Sequence, residues 1–173
     1  KIILSIVFIL AVIIGCKTKG NSADAKNLNL TFESKSNSNV TGTATFTEKK
    51  GIVTFVAKIS GLKPGIHAIH IHEKSDCSAA DGSSAGGHWN PTFKKHGKWG
   101  AAEHHKGDIG NFTADAKGNA TVKFATNEWC IGCGDATKEI TGKGLIVHKG
   151  IDDFTSQPAG NAGARIACSA IIK

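Results

Sequence analysis

A chain of 173 residues with 40% hydrophobic content can bury one real core and is too short to expect two domains. Its 21 glycines, three prolines and absence of tyrosine and methionine speak against collagen-like and disordered classes. A net charge of +7 fits an anionic substrate or adhesion to an anionic envelope, but the lysines are scattered rather than run together, which excludes a nucleic-acid stripe.

After Lys1 come thirteen apolar or small residues, Ile2 to Ile14, and then Gly15-Cys16. That run is too short to cross a bilayer as a helix and suits the hydrophobic region of a signal peptide. Ile13-Ile14-Gly15-Cys16 resembles a bacterial lipobox, in which the cysteine is acylated and becomes the mature N-terminus. An ordinary cleaved signal or a buried strand are the alternatives. We therefore read residues 1–16 as a signal peptide with lipobox, 17–26 as a polar flexible tether, and 27–173 as the folded domain. The expected location is the bacterial cell envelope, lipid-anchored or periplasmic.

Leu28–Lys35, Val40–Glu48 and Ile52–Ser60 alternate apolar and polar residues over strand length, with turn signals at 36–39 and 49–51 between them, and predict an antiparallel meander. Gly61–Gly65 turns into a β-branched strand, Ile66–His72. No pattern persists from Lys74 to Lys106, a length that is suspect in a compact domain unless function pins it. Alternation resumes in Asp108–Asp115 and Ala120–Thr126, around a hairpin signal at Ala116-Lys117-Gly118-Asn119. Leu145–His148 reads as a short buried strand, 150–162 as a second long loop, and Ala164–Ile172 as the closing strand. Eight short strands and two long loops predict an all-β antiparallel Greek-key β-barrel or flattened, immunoglobulin-like sandwich.

Seven of the eight histidines fall between positions 67 and 105, and the eighth is His148. Residues two apart on a strand share a face, so His70 and His72 project side by side; a helix would turn them apart. Imidazole suits copper and zinc, whereas calcium or magnesium calls for more carboxylates than this stretch supplies. A lone His-x-His is weak, but with His88, His96, His105 and Asp108 on a loop that cannot hold itself up it points to two metals.

The strings Gly65-Ile66-His67-Ala68-Ile69-His70-Ile71-His72-Glu73, Gly86-Gly87-His88-Trp89-Asn90-Pro91, His105-Lys106-Gly107-Asp108-Ile109-Gly110-Asn111, Leu145-Ile146-Val147-His148 and Gly160-Asn161-Ala162-Gly163-Ala164-Arg165-Ile166-Ala167-Cys168 resemble the copper,zinc superoxide dismutases, in the family's order from about Leu28 onward. The resemblance implies copper on His70, His72, His88 and His148, zinc on His88, His96, His105 and Asp108, and so a His88 shared between them. It implies dismutation of superoxide to O₂ and hydrogen peroxide at copper, with zinc structural. Arg165 matches the arginine that binds the substrate anion, and His88 a proton donor. Asp152, with Asp153 as its rival, matches the carboxylate that orients ligands of both metals. His67 is expected to be structural, and the family's His-x-x-Asp spacing selects His105 over His104. Two departures stand out: Lys98-Trp99 replaces a frequent Gly-Pro, and the extra residues Ala79–Ala85 have no role legible in the sequence. A non-enzymatic copper/zinc buffer on the same scaffold is the alternative function, and a homodimer is left open.

Setting Cys16 aside, Cys77, Cys130, Cys133 and Cys168 are an even number behind an export signal, which favours disulfides in any of three connectivities. By resemblance Cys77 pairs with Cys168. Cys130 and Cys133 form a Cys-x-x-Cys outside the family pattern, read as a local disulfide ahead of a redox motif or soft-metal site.

Overall fold

Alternation of apolar and polar residues builds two antiparallel sheets in the computed structural model, which describes residues 25–173. The expected signal segment, Cys16 and most of the tether lie outside those residues. One sheet has the order β1 (Lys26–Thr31), β3 (Thr41–Lys49), β4 (Ile52–Ser60), β7 (Ala120–Thr126). The other runs β2 (Glu33–Ser34), β9 (Arg165–Ile171), β8 (Lys143–His148), β5 (Gly65–His72), β6 (Gly110–Ala114). The result is an all-β sandwich, the flattened form of the expected Greek-key fold, with two separate ladders rather than one closed barrel.

Leu28, Leu30, Phe46, Phe55 and Ile59 face Ile69, Ile71, Leu145, Val147 and Ile171 in one core between the sheets. The ring centroids of Phe46 and Phe55, directly paired across β3 and β4, are 4.8 Å apart. Each such side chain contributes roughly 1.5–3 kcal/mol when fully buried, so the sheets are a stiff base for the loops.

Two elements differ from the sequence-based expectation. Leu28–Lys35 is two strands, because the chain crosses between sheets at Phe32: β1 pairs with β3, while β2 pairs with β9. Alternation runs on through the crossing because Leu28, Leu30 and Phe32 all enter the same core. The Asp115–Asn119 turn forms, with Asp115 N–H donating to Asn119 O at 2.8 Å, but it is no hairpin. Its flanking strands β6 and β7 belong to different sheets, so the turn carries the chain across the sandwich.

β5 is buried on both faces from His67 to His72. Ile69 and Ile71 enter the core, which aims His70 and His72 at the opposite face, under the long loop. That loop is sewn to the strand: Ile71 N–H donates to Gly107 O, Trp89 N–H to Ile71 O, and Gly107 N–H to Trp89 O, at 2.9, 2.8 and 3.0 Å. A Cβ on Gly107 would collide with Ile71 O, so only glycine allows this approach.

Cys77 and Cys168 are bonded, and with Ala85 and Ile146 they form a second small core beneath the loop. In the chain-entropy model, closing across a separation of 91 contributes about 4–5 kcal/mol. Cys130 and Cys133 are also bonded, across a separation of only 3, for which the same model gives roughly 2 kcal/mol.

Candidate metal centre

The strand and loop histidines meet in two groups. Ligand atoms of His70, His72, His88 and His148 lie within 4.8 Å of one another, as do those of His88, His96, His105 and Asp108, and all seven residues are buried. His88 is the one residue in both groups. Its ring centroid is 4.1 Å from that of His70 and 5.2 Å from that of His96.

Hydrogen bonds at the far side of each ring fix which nitrogen is left with a lone pair. His72 Nδ1 donates to Gly86 O at 2.9 Å and His148 Nδ1 to Gly163 O at 3.2 Å, leaving their two Nε2 atoms 3.3 Å apart. His70 Nε2 donates to Asp152 Oδ2 at 2.9 Å and turns Nδ1 inward. In the second group His96 Nε2 donates to Asp152 Oδ1 at 2.9 Å. Asp152 therefore holds one ring from each group. Asp153, its rival on sequence grounds, is exposed and spends its carboxylate on Thr155, Ser156 and Asn161.

Four buried ring nitrogens in the two groups have no hydrogen-bond partner: His70 Nδ1, His88 Nε2, His96 Nδ1 and His105 Nδ1. The last two lie 3.0 and 3.3 Å from Asp108 without hydrogen-bond alignment. Orphaned buried polar atoms are costly, and four converging on two points are unexpected in a merely structural cluster. Imidazole lone pairs of this kind fit copper or zinc, and the three-histidine, one-aspartate group fits a closed tetrahedral zinc site.

Burial and charge divide the histidines further. Desolvation pushes His72 and His148 well below the ordinary histidine range, and it lowers His88 to about 4 against the pull of Asp108. For His96 desolvation is outweighed by the nearby negative charge of Asp108 and by the hydrogen bond from Nε2 to Asp152, which raise it to about 9. The close contacts of His105, His88 and His96 hold Asp108, and the hydrogen bonds from His70 and His96 hold Asp152, well below the usual carboxylate range, against desolvation.

A pH dependence follows for the metal-free protein. His96, raised to about 9, carries a proton in the neutral range that zinc must displace, while His88, lowered to about 4, is already neutral there. Apparent zinc affinity is therefore expected to rise about tenfold per pH unit between roughly pH 6 and 8. Chelator competition at several pH values checks this, and a flat profile would contradict it. The sign for folding is opposite: the raised value of His96 stabilises the metal-free fold fully below its ordinary 6.5, a contribution lost as pH rises through about 9.

A cavity of about 510 Å³ opens over His72, His88, His105 and His148 and has Arg165 in its wall. The half-buried guanidinium donates to Gly82 O at 2.8 Å and to Gly86 O at 2.7 Å. Gly86 O also accepts from His72 Nδ1, so one carbonyl sets the arginine and a histidine against each other.

His67 and His104 stay out of both groups. The ring nitrogens of His67 lie 3.0 Å from His148 O and 2.8 Å from Lys63 O. His104 packs on Trp99 and donates from Nδ1 to Ala101 O. Three supports are not legible in the sequence. Asn111 exchanges hydrogen bonds of 2.9 and 2.8 Å with the Asp152 backbone, and Gln157 brackets the His96 backbone at 2.9 and 3.0 Å. Gly160 passes so close to Asp152 that a Cβ there would collide with Oδ1. A glycine in a turn-prone loop is the only local hint of that approach. Nothing local marks Asn111 or Gln157, whose partners are 41 and 61 residues away.

The model of the family described as Copper/zinc superoxide dismutase (SODC) matches residues 40–171. Two proteins of Aquifex aeolicus (strain VF5), Superoxide dismutase (Cu-Zn) 2 and Superoxide dismutase (Cu-Zn) 1, are each 38% identical to the chain. The matches span 135 and 133 residues, 76% and 75% of the chain and 79% of each relative.

Proposed function

This chain belongs to the copper/zinc superoxide dismutase family, and from that premise we propose that its paired clusters, joined at His88, hold copper and zinc and dismutate superoxide to O₂ and hydrogen peroxide. The observation that carries the reading is the set of four unpartnered buried nitrogens aimed into two adjoining groups, one of which opens on a cavity walled by Arg165. His70, His72, His88 and His148 would hold copper, and His88, His96, His105 and Asp108 zinc. When bound, copper supplies the one-electron couple that takes an electron from one superoxide and returns it to another, and zinc supplies a fixed positive charge.

The chain's own residues do the rest. Gly86 O, Gly163 O and Asp152 lock the tautomers of His72, His148 and His70, so that no ring must reorganise during turnover. To serve both groups His88 would offer one nitrogen to each, and Nε2, the nitrogen turned away from Asp108, would be the atom that takes up a proton and passes it to the departing peroxide. The second proton comes from water. Arg165 draws the substrate anion into the cavity and hydrogen-bonds it there. A buffer of copper and zinc has no use for that guanidinium, which favours the enzyme over the binding-only alternative.

The apolar run before Cys16 supports export and acylation of that cysteine, with the domain tethered in the bacterial envelope. Metal analysis by mass spectrometry, with a superoxide-consumption assay on the same sample, tests the main reading. One copper and one zinc per chain with rapid consumption is the expected result. A fully metallated protein that leaves superoxide untouched would hand the case to the buffer.

A further inference from the structure

We propose that Cys130–Cys133 is a reversible redox pair that exchanges electrons with dithiols, a chemistry separate from the metal clusters. The two sulfurs are bonded but unequal: Cys130 is 6% exposed, whereas Cys133 lies on the surface. An outside thiol can reach only Cys133. The N–H of Asp135 is directed at Cys133 Sγ at 3.4 Å, and Lys173 Nζ lies close over the loop, where a Cβ on Gly132 would meet it at 2.7 Å. The N–H directed at Cys133 Sγ favours the thiolate there.

Of the neighbouring carboxylates that would oppose it, Asp135 is turned to Thr137, and Glu139 has an oxygen within 4.8 Å of both sulfurs. That carboxylate is engaged, however. It accepts from the N–H groups of Gly132 at 2.9 Å, Cys133 at 2.7 Å and Thr141 at 2.9 Å, from the more distant Gly134 N–H, and from the Thr141 hydroxyl. The same bonds leave Glu139 poorly placed as a metal ligand and give it a different task, which is to hold the loop's shape.

The loop keeps that shape without help from the S–S bond. Ile131 N–H donates to Glu48 at 2.8 Å, Lys26 Nζ donates to Ile131 O at 2.7 Å, and Cys130 N–H donates to Lys138 O at 2.8 Å. Trp129, Ile131 and Ile140 are no more than 1% exposed, and Trp129 Nε1 donates to Lys106 O at 2.8 Å. A bridge across three residues restrains the chain much less than Cys77–Cys168 does, and the segment is anchored independently of it, so reduction can leave it folded with the two thiols still adjacent. Cys77–Cys168 is the contrast, since both of its cysteines are buried and it ties down a long loop.

In the exchange, one thiolate of the dithiol attacks Cys133 Sγ and the Cys130–Cys133 bond breaks, with its electron pair going to Cys130, which takes up a proton. The second thiol of the dithiol then attacks the mixed disulfide and releases Cys133. Two electrons and two protons pass from the dithiol, which leaves as a disulfide, to Cys130 and Cys133.

The test uses the full metallated chain in graded reduced and oxidised dithiothreitol, with alkylation and peptide mass mapping. Cys130 and Cys133 are expected to become alkylated together while Cys77–Cys168 stays bonded and the circular dichroism is unchanged, and oxidised dithiothreitol should close the pair again. In a C130S variant, Cys133 should form a mixed disulfide with oxidised glutathione at least about tenfold faster than Cys130 does in C133S. Reduction only on unfolding, or only together with Cys77–Cys168, would overturn the proposal in favour of a structural staple. A reduced pair that binds a zinc beyond the one held by the histidine and aspartate group and resists reoxidation would overturn it in favour of a soft-metal site, and equal rates in the two variants would remove Cys133 as the exchanging sulfur.

Discussion

Asp152→Ala is expected to weaken copper and zinc binding together, each by roughly 10- to 100-fold, although Asp152 is itself a ligand of neither. One carboxylate receives His70 Nε2 and His96 Nε2, both at 2.9 Å, and a third bond from the Phe154 N–H at 2.7 Å. Without it two buried rings lose the partner that fixes their tautomers, one in each group. Asp152→Asn should fall between, because an amide oxygen can accept from one ring while the amide nitrogen confronts the other with a donor. Asp153→Ala is the control, since Asp153 lies on the surface and touches neither group. Chelator competition for each metal separately checks the pattern. Loss at one site alone would show that Asp152 does not couple the two, and full retention at both would remove it from the centre.

The parts of this centre that are legible in the sequence are those whose information a side chain carries. The ligands can be read because histidine and aspartate are scarce, chemically distinctive types, and because a strand period of two by itself places His70 and His72 together. Which of Asp152 and Asp153 faces inward depends on the loop's path. The strand break at Phe32 is hidden because both sheets share one core, so alternation cannot tell a continuous strand from one that changes sheets. The turn at Asp115–Asn119 is legible as a turn but not as a crossing between sheets, since turn chemistry is local and sheet membership is not. The extra residues Ala79–Ala85 show no role in the sequence because their contribution is a backbone atom: Gly82 O, inside that insertion, accepts from Arg165. Carbonyl groups are common to every residue, so a site built on Gly82, Gly86 and Gly163 oxygens leaves no compositional trace.

Arg165→Ala is expected to slow dismutation while leaving copper and zinc content intact. A charge-assisted hydrogen bond to the substrate anion contributes about 1.5–3 kcal/mol, which corresponds to roughly 10- to 100-fold in rate constant. The guanidinium is suited to this because Gly82 O and Gly86 O hold its fork in the cavity wall, so little freedom remains to be lost when the anion arrives. Arg165→Lys keeps the charge but cannot span both carbonyls, and should recover only part of the loss. Superoxide is charged, so part of the effect is long-range attraction that salt screens over a Debye length of about 8–10 Å. The alanine variant should accordingly show a flatter dependence on ionic strength, with the lysine variant closer to the parent. Metal analysis, rate measurements and a salt series on the three proteins decide the matter. Full activity with an unchanged salt slope in the alanine variant would remove Arg165 from catalysis, whereas metal loss in that variant would show that it acts through His72 and their shared partner Gly86 O rather than on the substrate.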